Sequence, residues 1–196
     1  MGESHIWLYH AGMTSFRSPI QFCRNCGTAV AYRVPDDGDT RERAVCPQCH
    51  TIHYENPLNV VGTIPVMPDG RVLLCKRNIE PRRGKWTLPA GFMELGETTA
   101  EGAARETDEE AGALLTMGRL FSVISVPRVG QVHLFYCATL DSDAFAPGPE
   151  TVEARLFHES EIPWDELAFR TVSTTLRLWF ADQAAGISQV HSLDIV

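Results

Sequence analysis

The segment from Gly91 to Ala113 contains carboxylates that are spaced to act together. Glu106, Glu109 and Glu110 follow the i, i+3, i+4 pattern, so on a helix they project from one face. Two carboxylates about 4 Å apart repel each other by roughly 4 kcal/mol at an effective dielectric of 20. Converging carboxylates therefore either take up protons or hold a cation, and an all-oxygen site suits Mg²⁺ or Mn²⁺. An ordinary solvated acidic surface is disfavoured because Arg105 is the only basic residue of this helix.

Four cysteines form a second group that could bind a metal. Cys23 and Cys26 make one C-x-x-C pair, and Cys46 and Cys49 make another. Two such pairs can supply the four thiolates of a tetrahedral Zn²⁺ site, which we favour over two disulfides or unrelated thiols. Four protein ligands leave no coordination position open, so this zinc would be structural. Its binding free energy, on the order of 10 kcal/mol, would stabilise a small ribbon that has little core of its own.

A basic run and several aromatic residues are candidates for contacts with a substrate. The basic residues are Lys76, Arg77, Arg82, Arg83 and Lys85. This run forms either a solvated loop or the wall of a pocket that meets phosphate groups, with Arg77 as the candidate phosphate contact. Trp86, Phe92 and Phe121 are either core residues or rings that stack on a base or a flavin. Arg128, in a loop between two predicted strands, is either a ligand contact or a surface residue.

The helix that carries the carboxylates has sequence signals at both ends. Thr98 and Glu101 form a capping box, in which the Thr98 hydroxyl accepts a hydrogen bond from the backbone N–H of Glu101. The helix is predicted to run to Ala111. Gly112 follows as a left-handed C-terminal cap.

Apolar periodicity predicts the remaining elements of a mixed α/β fold. The predicted strands cover residues 60–67, 71–76, 120–126, 132–140 and 153–158. Two further helices are predicted over 161–168 and 171–184, and the second is amphipathic. Short apolar segments between turn residues over 22–56 are typical of a small β-ribbon, and Asn56-Pro57 marks its boundary. Strands that alternate with helices indicate α/β layers.

Composition excludes several classes of protein. The chain has 196 residues, of which 44% are hydrophobic, so it can bury one core and a small appendage. The net charge of −8 disfavours non-specific binding to nucleic acid. No apolar run reaches the roughly 20 residues of a membrane helix, and no secretory signal is recognisable. We therefore expect a cytoplasmic protein with no membrane partner.

The carboxylate segment resembles the Nudix box, Gly-x5-Glu-x7-Arg-Glu-U-x-Glu-Glu-x-Gly-U, in which U is a bulky aliphatic residue. Every fixed position matches, at Gly91, Glu97, Arg105, Glu106, Glu109, Glu110 and Gly112. Two U positions depart from the pattern, since Thr107 replaces the first aliphatic residue and Ala113 is a small version of the second. Both positions concern helix packing and not chemistry.

This resemblance implies a Nudix α/β/α sandwich in which the box forms a loop–helix–loop that holds a divalent metal. By position, Glu106 and Glu110 correspond to the principal Mg²⁺ ligands. Glu109 corresponds to a third ligand or to a base acting through water, and the carbonyl of Ala90 completes the site. Glu97 and Arg105 correspond to supporting residues, since an arginine at this position pairs with a box carboxylate. In several members of the family a further Glu, just before the last strand, is a ligand or base. Glu153 occupies that place, and Glu150 is the nearby alternative.

The zinc-ribbon segment narrows the set of Nudix enzymes that this chain resembles. NADH pyrophosphatases also combine a ribbon with this fold, but their Ser-Gln-Pro-Trp hallmark is absent from 121–136. The chain is more similar, over about residues 22–180, to zinc-ribbon Nudix enzymes related to plant FAD and ADP-ribose pyrophosphatases. The shared segments include Val-Leu-Leu-Cys-Lys-Arg-Asn-Ile (72–79), Gly-Lys-Trp-Thr-Leu-Pro-Ala-Gly-Phe-Met-Glu (84–94), Phe-Ala-Pro-Gly-Pro-Glu (145–150) and Glu-Ile-Pro-Trp (161–164). This similarity implies cleavage of FAD to AMP and FMN, or of ADP-ribose to AMP and ribose 5-phosphate, by a homodimer.

We therefore expect four regions along the chain. They are an N-terminal tail over 1–20, a zinc ribbon over 21–56, a Nudix hydrolase domain over 57–185 and a C-terminal tail over 186–196. NADH or capped RNA are alternative substrates, since a capped RNA end is chemically a large pyrophosphate. A protein that senses a nucleotide without hydrolysing it belongs to a different class. It is disfavoured because such proteins often lose box glutamates, and this chain keeps them all.

Overall fold

A computed structural model describes residues 18–196 of the chain. Residues 1–17, most of the predicted N-terminal tail, lie outside the described residues. The chain divides into two compact units, one of residues up to Pro57 with Arg128–Gly130, the other of Leu58–Pro127 with Gln131–Val196. Among residues 18–196 no helix is long and apolar enough to cross a membrane.

The first unit is a small antiparallel sheet. Its strands are β1 (Ala31–Arg33), β2 (Arg43–Val45) and β3 (Ile52–His53), in that spatial order. Among the described residues of this unit, the buried apolar side chains are those of Pro35, Ala44 and Val45, besides the cysteines Cys23 and Cys46. A unit with so small a core depends on another source of stability.

The second unit is built on a mixed eight-stranded sheet. Its strands are β4 (Leu58–Val66), β5 (Val72–Arg77), β6 (Trp86–Thr87), β7 (Ala90–Phe92), β8 (Leu115–Val126), β9 (Gln131–Leu140), β10 (Thr151–Phe157) and β11 (His191–Asp194). The main order is β10-β5-β4-β9-β8-β11, while β6 pairs with β5 and β7 with β4. The β4–β9 and β8–β11 pairs are parallel, and the other pairs are antiparallel.

Two helices, α1 (Thr99–Ala111) and α2 (Arg170–Ala185), pack on opposite faces of this sheet. Successive side chains of a strand point to opposite faces. Accordingly, Leu73 of β5 packs with Ala111 of α1, whereas its neighbour Leu74 packs in the larger cluster that contains Leu176 of α2. The predicted α/β/α sandwich is confirmed by this arrangement.

The capping signals of α1 act as the sequence predicts. The Thr98 hydroxyl accepts a hydrogen bond from the N–H of Glu101, and the Glu101 carboxylate accepts one from the N–H of Thr98. Gly112 has φ of 58° and donates its N–H to the carbonyl of Asp108. A left-handed residue here ends the helix without the steric cost that a side chain would add.

Two regions differ from their predictions. The helix predicted over 161–168 is wrong, because the structure has two short 3₁₀ turns at Glu159–Glu161 and Trp164–Glu166. Pro163 explains the difference, since it lacks an N–H and forces Ile162 into an extended conformation with ψ of 125°. The predicted tail over 186–196 contains β11, which adds a parallel edge strand to β8. A hydrogen bond of 2.8 Å between His191 Nε2 and Oδ2 of the buried Asp182 helps to hold β11 in place.

Candidate active site

Helix α1 places its carboxylates in different environments. Glu106 and Glu110, one turn apart, are 9% and 8% exposed. The Glu109 side chain is 59% exposed. The side of α1 that faces the sheet therefore carries two buried acidic groups, and the third predicted group lies at the edge of this site.

Both buried carboxylates contact the start of strand β7. The backbone N–H of Ala90 donates a hydrogen bond of 3.3 Å to Glu110 Oε2. A Cβ atom placed on Gly91 would overlap the Glu106 carboxylate, so only glycine lets this carboxylate lie against the backbone. The pairing of β7 with β4 holds these residues in place, with Gly91 opposite Val61 and Ala90 opposite Gly62. Helix α1 and strands β7 and β4 thus form a cradle around the two carboxylates.

Arg105 connects the acidic groups around this cradle. Its Nε and Nη2 atoms donate to the two Glu97 oxygens at 3.0 and 2.9 Å. Its Nη1 atom donates to Glu106 Oε1 at 2.9 Å and to Glu109 Oε2 at 3.1 Å. A guanidinium has five N–H donors in a fixed plane, so one residue can restrain all three carboxylates. Arg105 thus makes the contact with a box carboxylate that the resemblance implies, and the supporting role of Arg105 and Glu97 stays a prediction.

The carboxylates differ in how their surroundings affect their pKa values. Hydrogen bonds from Arg105 lower the pKa of Glu97 to about 2. Burial, and then repulsion by Glu106, raise the pKa of Glu110 to about 8. Burial also raises the pKa of Glu106, although Arg105 opposes this change. Glu110 makes no ion pair in the described part of the chain, and the charge of Arg77 offsets the rise of its pKa only in part, so a cation placed beside Glu110 would be strongly attracted.

The loop before β10 brings another carboxylate to the site. The N–H groups of Ala146 and Gly148 donate to the carbonyls of Ala111 and Glu110, at 2.8 and 3.2 Å, at the end of α1. The charge of Glu150 is consequently close enough to raise the pKa values of both Glu106 and Glu110. The only sequence signal for this arrangement was the Pro-Gly-Pro turn at 147–149, which did not indicate what the loop contacts.

Glu153, the residue favoured by the sequence, lies on β10 and is paired with Lys76 of β5. The ladder is irregular between Thr151 and Glu153, so a bulge precedes Glu153 on this edge strand. Asn78 ties the same region to the basic run, because its N–H and its side-chain amide donate to the carbonyls of Glu150 and Pro149 at 2.8 and 3.0 Å. Glu150 and Glu153 thus both remain candidates for the additional ligand or base.

The predicted substrate contacts separate into core and surface residues. Trp86 is 4% exposed and Phe121 is fully buried, and both belong to the large core cluster. Phe92 is 50% exposed beside the box loop. Arg77 lies over the ring of Phe169, 5.1 Å from its centre, and its charge lowers the pKa of Glu110. Arg128 is exposed in the turn Pro127–Val129, and it is grouped with the first unit.

The four cysteines of the first unit form a site that fits zinc. Their sulfur atoms all lie within 4.8 Å of one another, with 3.5 Å between Cys23 and Cys49 and 3.4 Å between Cys26 and Cys46. A tetrahedral site with Zn–S bonds of about 2.3 Å separates its sulfurs by about 3.8 Å. Among residues 18–196, only this group brings three or more potential ligand atoms of His, Cys, Asp or Glu so close together.

The backbone repeats the same turn around each C-x-x-C pair. The N–H of Cys23 donates to the carbonyl of Thr28, and the N–H of Cys46 donates to that of Thr51. Gly27 and His50 close the two turns with positive φ angles of 76° and 59°. Hydrogen bonds from Thr51 lower the pKa of Cys49 to about 5, which favours the thiolate that zinc requires.

Comparison with known proteins finds a family model for each of the two parts of the chain. The family model described as NUDIX domain matches residues 57–177, and the one described as Nudix N-terminal, a zinc ribbon, matches 21–55. A NUDIX hydrolase structure from Nitrosomonas europaea is 48% identical, covers 90% of this chain and 99% of that one, and gives a TM-score of 0.86.

Two relatives have assigned activities. An ADP-ribose pyrophosphatase from Methanocaldococcus jannaschii is 32% identical over 120 residues, which is 59% of this chain and 69% of that protein. An NAD-capped RNA hydrolase NudC from Photorhabdus laumondii is 27% identical over 154 residues, 77% of this chain. The chain spans 56% of the length of this NudC relative.

Proposed function

The chain belongs to the Nudix family, and we propose that it hydrolyses ADP-ribose or FAD to AMP and a second phosphomonoester. It is accordingly a hydrolase of pyrophosphate bonds with an N-terminal zinc ribbon. The observation that carries the proposal is the pair of buried carboxylates, Glu106 and Glu110, held against the backbone of Ala90 and Gly91. Glu106 is paired with Arg105, but Glu110 makes no ion pair in the described residues, and a buried acidic group without a paired base is costly unless it serves to bind a cation.

In this proposal Glu106, Glu110 and the carbonyl of Ala90 hold Mg²⁺ or Mn²⁺, with Glu109 as a further ligand. The donor set fits such an ion because all its atoms are oxygens and because burial raises the pKa values of Glu106 and Glu110. A bound divalent ion would neutralise charge on the pyrophosphate and increase the acidity of a water molecule. We assign structural zinc to Cys23, Cys26, Cys46 and Cys49.

The reaction adds water to a phosphorus atom and breaks its bond to the bridging oxygen. A glutamate accepts the proton of the attacking water, and the bridging oxygen leaves with the second phosphate. Arg105 fixes the orientations of Glu106 and Glu109 through Nη1, and Glu97 fixes Arg105 in turn. This chain of hydrogen bonds sets the positions of the carboxylates before substrate arrives, which lowers the cost of ordering them during the reaction.

Substrate contacts follow from the groups that remain accessible. Arg77 is the proposed phosphate contact, since its charge already acts on Glu110. Phe92 is the proposed stacking residue, because half of its surface is exposed beside the box loop. Trp86 is better explained as core, and Arg128 stays a prediction from the sequence. The relative named as an ADP-ribose pyrophosphatase supports ADP-ribose, and the resemblance to plant enzymes supports FAD.

Hydrolysis of NAD-capped RNA is the second candidate activity. It is favoured by relatives named NudC, although the chain spans only about half of their length. A homodimer is proposed from the resemblance to plant pyrophosphatases. A cytoplasmic location is proposed because all six cysteines in the described residues are free, as in a reducing compartment.

Incubation with Mg²⁺ or Mn²⁺ and each of ADP-ribose, FAD, NADH and NAD-capped RNA tests the substrate assignment. We expect turnover of ADP-ribose or FAD to exceed that of the other two in kcat/KM, with AMP among the products and none formed in EDTA. If NAD-capped RNA has the highest kcat/KM, hydrolysis of capped RNA replaces hydrolysis of ADP-ribose or FAD as the proposed activity. Tight binding of the nucleotides with no product from any of the four would contradict the enzyme assignment.

Paired variants separate the roles of Glu150 and Glu153. We expect Glu153→Gln to lower kcat by about 100-fold, because loss of an acid–base group costs roughly 10²–10⁴-fold. The Mn²⁺ concentration that gives the half-maximal rate should change little. We expect Glu150→Gln to raise that concentration several-fold and to change kcat less, since Glu150 acts on Glu106 and Glu110 through its charge. The reverse pattern would assign the base to Glu150. Glu159→Gln, on an exposed turn after β10, is the matched control.

A further inference from the structure

A pair of buried hydroxyls lies between the central strand β4 and the carboxylate helix α1. Thr63 and Thr107 are both fully buried, and their Oγ1 atoms are 2.7 Å apart. Thr107 occupies the position at which the Nudix box has a bulky aliphatic residue, so this chain has a polar contact where packing alone is expected. Its partner, Thr63, lies outside the box.

Counting protons gives the direction of these hydrogen bonds. Each hydroxyl has one proton to donate. Thr107 donates its proton to the carbonyl of Ala103, one turn earlier in α1, at 2.9 Å. The proton between the two hydroxyls is therefore that of Thr63, which donates to Thr107. All hydroxyl protons have acceptors, and loss of the acceptor at Thr107 would leave the Thr63 hydroxyl buried without a partner.

Thr63 also holds the loop on the other side of the cradle. Its backbone N–H donates to the carbonyl of Pro89 at 3.2 Å, immediately before Ala90. The adjacent residue, Gly62, pairs with Ala90, and a Cβ atom on Gly62 would overlap Ala90 and the Pro89 carbonyl. One residue of β4 thus contacts the loop through its backbone and the helix through its side chain.

We propose that Thr63 is a positioning residue that fixes the distance between the two halves of the metal site. Ala90, at the start of β7, forms one half. The other half is formed by Glu106 and Glu110, which lie on either side of Thr107 in the sequence of α1. The hydroxyl contact at 2.7 Å joins helix and strand by a directional hydrogen bond, a restraint on distance and angle that non-directional apolar packing does not supply. The inference rests on the proposed assignment of Mg²⁺ or Mn²⁺ to this cradle.

The test compares Thr→Val substitutions, which keep the shape of the side chain and remove the hydroxyl. The matched control is Thr175→Val. Thr175 is also fully buried and also faces another hydroxyl, Ser122 Oγ at 3.4 Å, but it lies on α2 on the opposite face of the sheet. Each full-length variant is titrated with Mn²⁺ in the absence of substrate by electron paramagnetic resonance, and its thermal unfolding is measured in EDTA.

We expect Thr63→Val and Thr107→Val to weaken Mn²⁺ binding about tenfold, the lower end of the range for residues that orient metal ligands. Thr175→Val should lower the unfolding temperature without changing Mn²⁺ affinity. Thr107→Val should unfold at a lower temperature than Thr63→Val, because it leaves a buried donor unpaired. The double variant Thr63→Val/Thr107→Val should recover most of this stability while Mn²⁺ binding stays weak.

Two results would overturn the inference. One is unchanged Mn²⁺ affinity in Thr63→Val, and the other is equal weakening in Thr63→Val and Thr175→Val, which would indicate general loosening of the fold. The variant Glu110→Gln separates this inference from the site assignment on which it rests. If Glu110→Gln binds Mn²⁺ as the unsubstituted protein does, the proposed metal site itself is wrong. If it loses binding while Thr63→Val keeps it, only the role of Thr63 is wrong.

Discussion

Glu110→Gln should reduce turnover of the best substrate by about 100-fold or more. Loss of residues that merely orient a metal ligand costs roughly 10–100-fold, and Glu110 is proposed as a ligand itself. The substitution keeps the shape of the side chain and can keep the hydrogen bond from the N–H of Ala90. The rate is measured at saturating Mg²⁺ and Mn²⁺. Asp108→Asn is the matched control, since Asp108 is an exposed acid on the same helix.

The same substitution should stabilise the metal-free protein at alkaline pH. Because the pKa of Glu110 is raised to about 8 in the folded state, the folded protein binds a proton more tightly than the unfolded protein does. This contribution to the free energy of unfolding is present at about pH 4 and is lost as the pH rises towards 8. In EDTA, Glu110→Gln should therefore raise the unfolding temperature more at pH 8 than at pH 5. An equal change at both pH values would contradict the assigned pKa.

Cys46→Ser should remove the bound zinc and unfold the ribbon unit. Structural zinc contributes on the order of 10 kcal/mol in such sites, which exceeds what a small core can supply. In the described part of this unit, Pro35, Ala44 and Val45 are the only buried apolar residues besides cysteines, so no other core replaces the metal. Zinc content and hydrogen exchange over residues 18–57 are the measurements.

The control for this substitution is Cys137→Ser, which changes a free cysteine of β9 outside the cluster. We expect it to retain one zinc per chain and the protection of the ribbon. Retention of zinc, or of slow exchange in the ribbon, by Cys46→Ser would show that the four thiols do not act as a single site. The amide protection of the second unit serves as an internal reference, because that unit has its own core on both faces of the sheet.

Local chemistry explains which features could be predicted from the sequence. The ends of α1 follow from short-range hydrogen bonds of Thr98, Glu101 and Gly112, which any chain with these residues can form. Each C-x-x-C pair likewise sits in its own local turn, and the pattern of residue types suffices for these short-range features. The meeting of the two pairs is a long-range contact, since Cys26 and Cys46 are 20 residues apart, and it was predicted because zinc needs four thiolates.

Other features that depend on contacts between distant parts of the chain could not be predicted from sequence patterns. The strand β11 has a polar sequence with no period, and it exists because β8 offers an edge and because Asp182 binds His191. The proximity of Glu150 to Glu106 depends on a loop whose backbone closes the end of α1. The contact of Thr107 with Thr63 links positions far apart in sequence, and neither hydroxyl indicates its partner.

The parallel pairing of β4 with β9 determines when the central strand becomes fully paired during synthesis. In the chain, β5, β6, β7, α1 and β8 separate the two strands, so β4 leaves the ribosome well before its neighbour exists. At about 5–20 residues per second, the delay is on the order of seconds. Throughout that time the apolar residues Val60, Val61 and Ile64 lack the strand that later covers one edge of β4. A nascent chain stalled within β8 is therefore a natural client for chaperones and a hazard for aggregation.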